Sequence, residues 1–501
     1  MVDDGNVPVN VHLKLRSFET DLVLPPGTDI LRAREPEAVR DVETAVFEAL
    51  ASPIGTPSLA DLCREVLTRS GRMYGERASE PAAASETARP APPGAAAGRR
   101  GGLSAAVVIS DNTRAVPYKG EGGILWPLVE SLLRAGFPAG SITLLVATGT
   151  HRVLTDEEIW ALVDERVRRA GVQVRCHDAA DPAGLTFVGR TDAGDDVFMD
   201  TAYVEADFRI LTGMVEVHLM AGVSGGRKSI CPGLVDVRSV RGFHGPATVA
   251  HSKATALVLE GNPSHEVALE IAGMARPDFI LNVTTRQDGR VAGVFAGDME
   301  KAHLAAVEHV RSFVQIPLER EYDVVVTHGG MVGINHYQAQ KACDIAAKAV
   351  RTGGYLVVVA DTTEPDPVGT GSYRRLLALL KELGPEALIA KLQSKDWEFV
   401  HDQWGVQEWA HLLRKIPPEH IFYFSPQTAP ADYAALPGVD PGPLPAGAED
   451  VGPAGLARHF VETAVARACE ESQAASGRVP AVAYLADGPH GVPVAPGAVT
   501  G

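Results

Sequence analysis

Short apolar runs alternate with amphipathic segments from Leu103 onward, and this alternation constrains the fold more than any other feature of the sequence. LSAAVVIS and SITLLVATG are typical of buried strands, and ILWPLVESLLRAGF between them has the apolar period of a helix. A second block of the same kind begins near residue 320 with YDVVVTHGG, HYQAQKACDIAAKAVR and GGYLVVVAD. Strands that alternate with helices indicate parallel or mixed sheets flanked by helices, so the sequence predicts an α/β protein.

The two blocks predict two α/β domains with an active-site cleft between them. We place the first domain at residues 1–312 and the second at 318–475. We expect residues 476–501 to form a C-terminal strand or tail that can return to the first domain. Residues 76–102 are rich in Ala, Pro and Gly and have no apolar period, which predicts a flexible insertion. Within the first domain, TDEEIWALVDERVRRAG predicts one helix that begins with a capping box of Thr155 and Glu158.

The charge of the chain limits its partners. It has 46 Lys and Arg against 63 Asp and Glu, a formal net charge of −17. Nucleic acids and anionic membrane surfaces are bound by basic faces, so neither is expected as a partner. The sequence has no apolar stretch of ~18 residues, the length of a membrane-spanning helix. Five scattered cysteines without a CxxC pair indicate a reducing compartment, and we expect the cytoplasm.

Three polar or glycine-rich segments form the candidate site, because each follows a strand or a tight turn. They are SDNTR at 110–114, ATGTHR at 147–152, and a longer segment from Glu216 to Gly233 that contains SGGRKS. Ligands of α/β sheets bind beyond the carboxyl ends of the strands. A phosphate-binding Walker loop needs glycine immediately before its lysine, but Arg227 holds that position. The sequence therefore argues against a nucleoside triphosphatase.

One lysine and three histidines in these segments can carry chemistry. Arg227 should disfavour the ammonium form of the adjacent Lys228, which favours a nucleophile or a point of covalent attachment. His151, His218 and His244 lie at turns or beside the glycine loop. Neutral imidazoles exchange protons near pH 7 or bind metals. Their spacing leaves a metal site, an acid/base pair or both open.

Taken in order along the chain, these segments resemble the lactate racemase family, the nickel-pincer nucleotide enzymes. The resemblance is carried by SDNTR, ATGTHR, the pattern H-x-x-x-G-x-S-G-G-x-K-x-x-x-P-G that begins at His218, and Tyr337-Gln338-x-x-Lys341. It extends from about residue 53 to about residue 410, with the 76–102 segment as an insertion. The resemblance implies an isomerase that racemises or epimerises a lactate-like 2-hydroxy acid.

The resemblance also implies a covalently attached cofactor. In this family a lysine carries a pyridinium-3-thioamide-5-thiocarboxylate mononucleotide that holds nickel between two sulfurs and a carbon. Lys228 matches that lysine, and His244 matches a histidine that completes the nickel coordination. The other residues that match the cofactor-binding motifs are Asp111, Thr113, Arg114, Gly225 and Gly226.

The same resemblance assigns roles in catalysis. His151 and His218 match the two acid/base histidines of a proton-coupled hydride transfer to and from the cofactor. The residues matched to substrate binding are Arg114, Tyr337, Gln338, Lys341 and Trp404, with Trp397 and Trp409 as alternatives for the aromatic residue. The implied partners are a small 2-hydroxy acid and the enzymes that make the cofactor.

Two other functions stay open at this point. One is a zinc-dependent hydrolase with the three histidines as ligands, which leaves Lys228 and the glycine loop without a function. The other is a non-catalytic cofactor-binding homologue of the same fold. In either case the basic residues of the site segments would make a locally positive cleft on an acidic protein: Arg114, Arg152, Arg227, Lys228 and Lys341.

Overall fold

The computed structural model describes residues 7–77, 103–442 and 447–495. Most of the insertion predicted at 76–102, from residue 78 to residue 102, lies outside these ranges. Within the ranges just given, no helix combines the length and the apolar character that crossing a membrane requires.

The first part of the chain contains most of the strands. Its elements are β1 Val9–Lys14, β2 Glu19–Leu24, β3 Asp29–Leu31, α1 Val42–Ala51, α2 Leu59–Arg77, β4 Ala105–Ser110, α3 Leu125–Arg134, β5 Ile142–Ala147, α4 Asp156–Leu162, α5 Glu165–Ala170, β6 Gln173–Cys176, β7 Leu185–Arg190, β8 Asp196–Asp200, α6 Thr201–Val204, β9 Phe208–Met214, β10 Val217–His218, β11 Gly222–Val223, α7 Val240–His244, α8 Pro246–Val249, α9 Pro263–Met274, β12 Phe279–Thr285, β13 Val291–Gly297 and α10 Met299–Val314.

The second part alternates between strands and longer helices. Its elements are β14 Gln315–Pro317, β15 Tyr322–His328, α11 His336–Ala347, β16 Val350–Val359, α12 Gly371–Leu383, α13 Pro385–Leu392, α14 Gln403–Lys415, β17 Ile421–Phe424, α15 Pro430–Tyr433, α16 Ala448–Ser476, β18 Val482–Leu485 and β19 Val492–Val494.

A six-stranded sheet forms the centre of the first domain. Its strand order is β13-β12-β9-β4-β5-β6, and only β13 runs antiparallel to its neighbour. Residues 105–109 of the central strand β4 are all buried, as expected for a strand covered on both faces. Apolar side chains fill both sides of the sheet, with α1 and α3 on one side and α9 on the other.

A five-stranded sheet forms the centre of the second domain. Its order is β17-β16-β15-β18-β3, and every pair in it is parallel. Helices α11 and α16 pack against β15 and β16. The predicted fold class, an α/β protein with parallel or mixed sheets flanked by helices, is confirmed.

The second sheet contains β3 from the early part of the chain and β18 from its late part, which corrects the expected domain boundaries. Strand β3 pairs with β18, and buried leucines of β1 and β2 such as Leu13 and Leu22 join the core of the second domain. The first 31 residues therefore leave the domain predicted for 1–312. The predicted return of the C-terminal strand to the first domain is also wrong, because β18 pairs with β15 and β3.

The segment TDEEIWALVDERVRRAG forms two helices instead of the one predicted. The capping box of Thr155 and Glu158 begins α4 as expected. Val163 then adopts extended backbone angles, and the Asp164 carboxylate accepts a hydrogen bond from the Arg166 backbone N–H to cap α5. A buried aspartate that can cap a helix competes with continuing the helix through that position.

Candidate active site

Three neighbouring strands deliver the candidate residues to one edge of the first sheet. Strand β4 ends at Ser110, β5 at Ala147 and β9 at Met214, and β4 lies between the other two. Because the strands are parallel, the segments that follow them begin at the same edge. This topology brings SDNTR, ATGTHR and the segment around His218 together, as predicted.

Asp111 and His151 form a hydrogen-bonded pair at this edge. The Asp111 Oδ2 atom lies 2.7 Å from His151 Nδ1, and Asp111 Oδ1 accepts from the Thr113 hydroxyl at 2.6 Å. Burial alone would raise the pKa of Asp111, but the bonds from His151 and Thr113 outweigh it, so the pKa is lowered. The ionised carboxylate holds the His151 hydrogen on Nδ1, which leaves the lone pair of Nε2 free to accept a proton.

His218 is half-buried beside several cationic groups. Burial, followed by the charges of Lys228 and Arg114, lowers the pKa of His218 well below its ordinary value, so the ring is neutral near pH 7. Its Nδ1 accepts the backbone N–H groups of Met220 at 3.3 Å and Ala221 at 3.1 Å. The hydrogen of the neutral ring therefore lies on Nε2, which makes that atom a donor.

Lys228 has a buried amine without a hydrogen-bonding partner among the described residues. Burial, followed by the charges of Arg114 and Arg227, lowers its pKa well below the ordinary value, while Glu216 acts in the opposite direction. The Nζ atom lies 5.1 Å from the centre of the Phe243 ring. A neutral, unpartnered amine is the state that attacks an acyl group or carries a covalent attachment.

His244 presents an unused nitrogen to the same region. Its Nδ1 is buried and has no hydrogen-bond partner in the described residues, and burial lowers its pKa to about 3. The ring stacks on Trp404, with centroids 4.8 Å apart and an interplanar angle of 18°. A buried imidazole nitrogen that is neutral and unpaired suits a metal ligand.

The second domain contributes the beginning of α11. Asn335 caps this helix by accepting the Gln338 backbone N–H at 2.8 Å. Tyr337 accepts the Trp404 indole N–H at its hydroxyl, at 2.6 Å. Burial, followed by the charge of Arg114, lowers the pKa of Lys341 to about 8, with Glu216 opposing. Lys341 of the second domain thus faces the Arg114–Glu216 pair of the first domain across the cleft.

Of the three candidate tryptophans, the structure places Trp404 in the site. Trp404 contacts both His244 and Tyr337. Trp409 is fully buried and donates to the Tyr373 hydroxyl, while Trp397 donates to the Gln403 side chain. The geometry therefore favours Trp404 as the aromatic residue of the cleft.

The glycine loop makes close backbone contacts. Gly225 and Gly226 have φ angles of +77° and +52°. A Cβ atom at Gly225 would lie 2.6 Å from Val215 Cγ2, and one at Gly226 would lie 2.9 Å from the His303 ring. Asn282 Oδ1 accepts the Gly226 N–H at 2.9 Å. The loop therefore requires glycine at both positions.

Two residues expected to line a positive cleft do not do so. Arg152 is exposed and pairs with Glu158 on its own segment. Arg227 is only 1% exposed and lies inside the glycine loop. The positive charge that lines the cleft near neutral pH therefore comes from Arg114 and Lys341, because the lowered pKa of Lys228 leaves its amine neutral.

The zinc-hydrolase hypothesis loses its ligand set. In the part of the chain that the structure describes, no group of three or more His, Cys, Asp or Glu side chains is arranged to hold a metal ion. The three histidines lie in one site without forming a three-ligand centre.

Sequence analysis missed the partners that set the charge and shape of the site. Glu216, whose Oε1 atom accepts from Arg114 Nη1 at 3.0 Å, lies two residues before His218 and could have been noticed from that spacing. Asn282 supports the glycine loop from β12, which is distant in sequence. Phe243 packs beside Lys228 from an ordinary apolar position. No local pattern marks either residue.

This fold and site define a two-domain α/β enzyme in which a carboxylate-bonded histidine, a lysine with a lowered pKa and an unpaired histidine lie near one another in a cleft. Residues 94–256 match the family model described as the lactate racemase N-terminal domain. The lactate racemase of Lactiplantibacillus plantarum is 30% identical over 315 residues, which cover 63% of this chain and 72% of that protein. The chain belongs to the lactate racemase family.

Further comparisons agree with this assignment. The lactate racemase of Thermoanaerobacterium thermosaccharolyticum is 30% identical over 309 residues, 61% of this chain and 70% of that protein. The apoprotein structure of a lactate racemase from that organism has the same fold, with a TM-score of 0.75, 24% identity, and coverage of 97% and 100% of the two chains. A crystal structure of a Thermotoga maritima protein is more distant, with a TM-score of 0.53, 17% identity, and coverage of 78% and 94%.

Proposed function

We propose that this protein is a racemase or epimerase of a lactate-like 2-hydroxy acid that uses a nickel-pincer nucleotide attached to Lys228. The observation that carries the proposal is the meeting of a carboxylate-backed base with a buried, unpartnered lysine in one cleft. Membership of the lactate racemase family supports the class of reaction.

The residues present fit the proposed cofactor. The neutral Lys228 amine suits an amide-type link, and the unpaired Nδ1 of His244 is a free ligand position. Asp111, Thr113 and Arg114 lie beside them, and the glycine loop allows close approach of a group to its backbone. When bound, the nickel-pincer nucleotide supplies an acceptor and donor for the hydride on the α-carbon of the substrate.

His151 has the geometry of the general base for one enantiomer. Its Nδ1–H donates to Asp111, so Nε2 can take the proton of the substrate hydroxyl. The carboxylate of Asp111 then stabilises the imidazolium, as carboxylates do in other acid/base dyads. Loss of the hydroxyl proton accompanies release of hydride from the α-carbon, which then becomes a planar keto carbon.

His218 serves the other face in this proposal but starts from a different state. Its neutral ring donates through Nε2, and two backbone N–H groups already occupy Nδ1. The ring is therefore ready to hold the substrate oxygen by a hydrogen bond. To accept a proton it must first change its tautomer, so the two histidines are not equivalent.

Two cations hold the substrate carboxylate in the proposed reaction. Arg114 lies at the edge of the first sheet and Lys341 on α11, so the carboxylate bridges the two domains. Tyr337, Gln338 and Trp404 form the wall beside His244. A fixed carboxylate lets the keto carbon turn its other face while the intermediate stays bound.

The proposed location and partners follow from this chemistry. Enzymes that synthesise the nucleotide and insert nickel must act on this chain or supply it. A thioamide link and free thiols are compatible with the reducing conditions of the cytoplasm, which we propose as its compartment.

The experiment is purification from a host that makes the cofactor, followed by assay against a panel of chiral 2-hydroxy acids. We expect about one equivalent of nickel, a mass increase on the Lys228 peptide and interconversion of at least one enantiomer pair. Lys228→Ala should lose the attachment. His151→Ala and His218→Ala should keep it and lose roughly 10²–10⁴ in turnover.

His12→Ala is the matched control, because His12 pairs with Asp21 at an exposed position on β1. It should leave attachment and turnover unchanged. Zinc bound to protein with an unmodified Lys228 would contradict the proposal. Fully modified protein that is inactive on the whole panel would favour a cofactor-binding homologue without catalysis.

A further inference from the structure

Arg227 is a buried charge that the proposed reaction does not use. It is 1% exposed and directly precedes Lys228 in sequence. Burial lowers its pKa to about 9, which leaves the guanidinium charged at neutral pH. No carboxylate pairs with it in residues 7–77, 103–442 or 447–495. A charge in such a position persists only where other groups satisfy it.

The backbone of the glycine loop accepts from both terminal nitrogens of this guanidinium, whereas its buried Nε has no partner among the described residues. Arg227 Nη2 donates to the carbonyls of Ala221 at 3.0 Å and Val223 at 3.1 Å, and Nη1 donates to that of Gly225 at 3.4 Å. Alternate carbonyls of the segment 221–225 therefore converge on one guanidinium. The planar fork of arginine can bind several acceptors at fixed angles, which a lysine cannot do.

His303 on α10 contacts both the guanidinium and the loop. Its Nε2 atom lies 3.0 Å from Arg227 Nη1 and 2.9 Å from the Ser224 carbonyl oxygen. Burial, followed by the charge of Arg227, lowers the pKa of His303 well below its ordinary value, so the ring is neutral. Because a carbonyl oxygen can only accept, Nε2–H donates to Ser224, and the guanidinium packs against the ring without donating to it. These contacts fix the loop to a helix of the first domain.

The loop is shaped so that neighbouring side chains diverge. Residues Gly226–Ser229 form a short 3-10 helix, in which successive residues are about 120° apart around the axis. Arg227 points back toward the loop and His303, whereas Lys228 lies over the Phe243 ring near His218. Holding Arg227 in place thus determines where the Lys228 amine lies.

We propose that Arg227 is a positioning residue that holds segment 221–226 in the shape that presents the Lys228 amine to the cleft. This inference rests on the proposed function, in which Lys228 is the attachment point. Arg227 also places a positive charge near that amine, together with Arg114, while Glu216 acts in the opposite direction.

The test measures Lys228 in two ways, one of which needs no cofactor. In apoprotein, acetic anhydride acetylates the neutral amine: an amide bond forms, acetate leaves, and the amine proton passes to the buffer. Mass spectrometry of the Lys228 peptide across a pH series gives the midpoint of the reaction, with the exposed Lys253 as internal reference. In protein from a cofactor-making host, the same peptide gives the attached fraction.

Arg227→Met should raise the acetylation midpoint of Lys228 and lower the attached fraction roughly tenfold, because the loop is released and a nearby charge is lost. Arg227→Lys should bring the midpoint back toward wild type but recover only part of the attachment. Arg152→Met, the loss of an exposed arginine elsewhere at the site edge, should change neither.

His303 gives a second pair of variants in case Arg227→Met does not fold. His303→Gln keeps a neutral donor for the Ser224 carbonyl and should resemble wild type, while His303→Leu should act in the direction of Arg227→Met. Folded Arg227→Met with the wild-type acetylation midpoint and attached fraction would overturn the proposal. If Arg227→Met does not fold, the same result in both folded Arg227→Lys and folded His303→Leu would overturn it. Wild-type protein without any attached mass would defeat the proposed function, and the midpoints would still decide the role of Arg227.

Discussion

At the scale of single residues, the proposed mechanism needs neutral groups at His218 and Lys228 and a charged group at Lys341. Burial and neighbouring cations lower the pKa values of His218 and Lys228 well below their ordinary values. Lys341 is an intermediate case, because its pKa of about 8 lies close to physiological pH. Its charge is present below that pH and is lost above it.

This value predicts the pH dependence of substrate capture. As pH rises through about 8, Lys341 loses its proton, and kcat/KM for a 2-hydroxy acid should fall by up to roughly tenfold per pH unit. Lys341→Arg keeps its charge and should remove this alkaline limb. Lys381→Arg on the exposed face of α12 is the control and should retain it. An unchanged alkaline limb in Lys341→Arg would show that another group titrates.

At the scale of elements, the sequence predicted best where local signals and burial agree. The apolar runs that became β4, β5 and β15 are buried throughout most of their length, and their periodicity identified them correctly. The helix expected at 155–171 was wrong because Asp164 caps a new helix there. Such competition depends on where the carboxylate is buried, which a local pattern does not contain.

The site was predictable to the extent that its residues lie in short motifs. His151, Lys228 and Lys341 stand in segments that local spacing marks, and the fold brings these segments to one cleft. Asn282 and His303 support the glycine loop from β12 and α10, and their roles depend only on tertiary packing. Sequence patterns identify reactive groups more readily than they identify the groups that hold those reactive groups in place.

The glycine loop gives a prediction at the element scale. Gly225→Ala should lower the free energy of unfolding more than Gly289→Ala, although their φ angles of +77° and +82° are similar. Both variants force an alanine to a positive φ, and at Gly225 the ψ of −178° lies in a region that is essentially restricted to glycine. Only at Gly225 does the new Cβ also meet Val215, since nothing lies within 4 Å at Gly289. Chemical denaturation measures both values, and equal losses would contradict the close packing.

At the scale of the whole molecule, the first domain is inserted within the second. The chain begins in the second domain with β1 to β3, passes through the entire six-stranded sheet, and returns to complete the second sheet with β15 to β18. Two local blocks in the sequence suggested consecutive domains. Pairing of β3 with β18 joins residues from opposite ends of the chain, and no local pattern predicts it.

This arrangement predicts which domain a change in β2 affects. Leu22 is fully buried in the core of the second domain, so Leu22→Ala should cost about 2–5 kcal/mol of stability. Hydrogen exchange should show the lost protection in β15, β16 and β18 and not in β4 or β5. Val23→Ala, at an exposed position on the same strand, is the control. Loss of protection confined to the first sheet would contradict the assignment of the N-terminal strands.

The pairing of β3 with β18 has a consequence for how the protein is made. A ribosome synthesises β3 long before its partner β18, which begins only at Val482. Every strand of the six-stranded sheet has been synthesised by Gly297. The domain that carries Lys228 can therefore complete its sheet on the nascent chain, while β3 finds its partner only after β18 has been made.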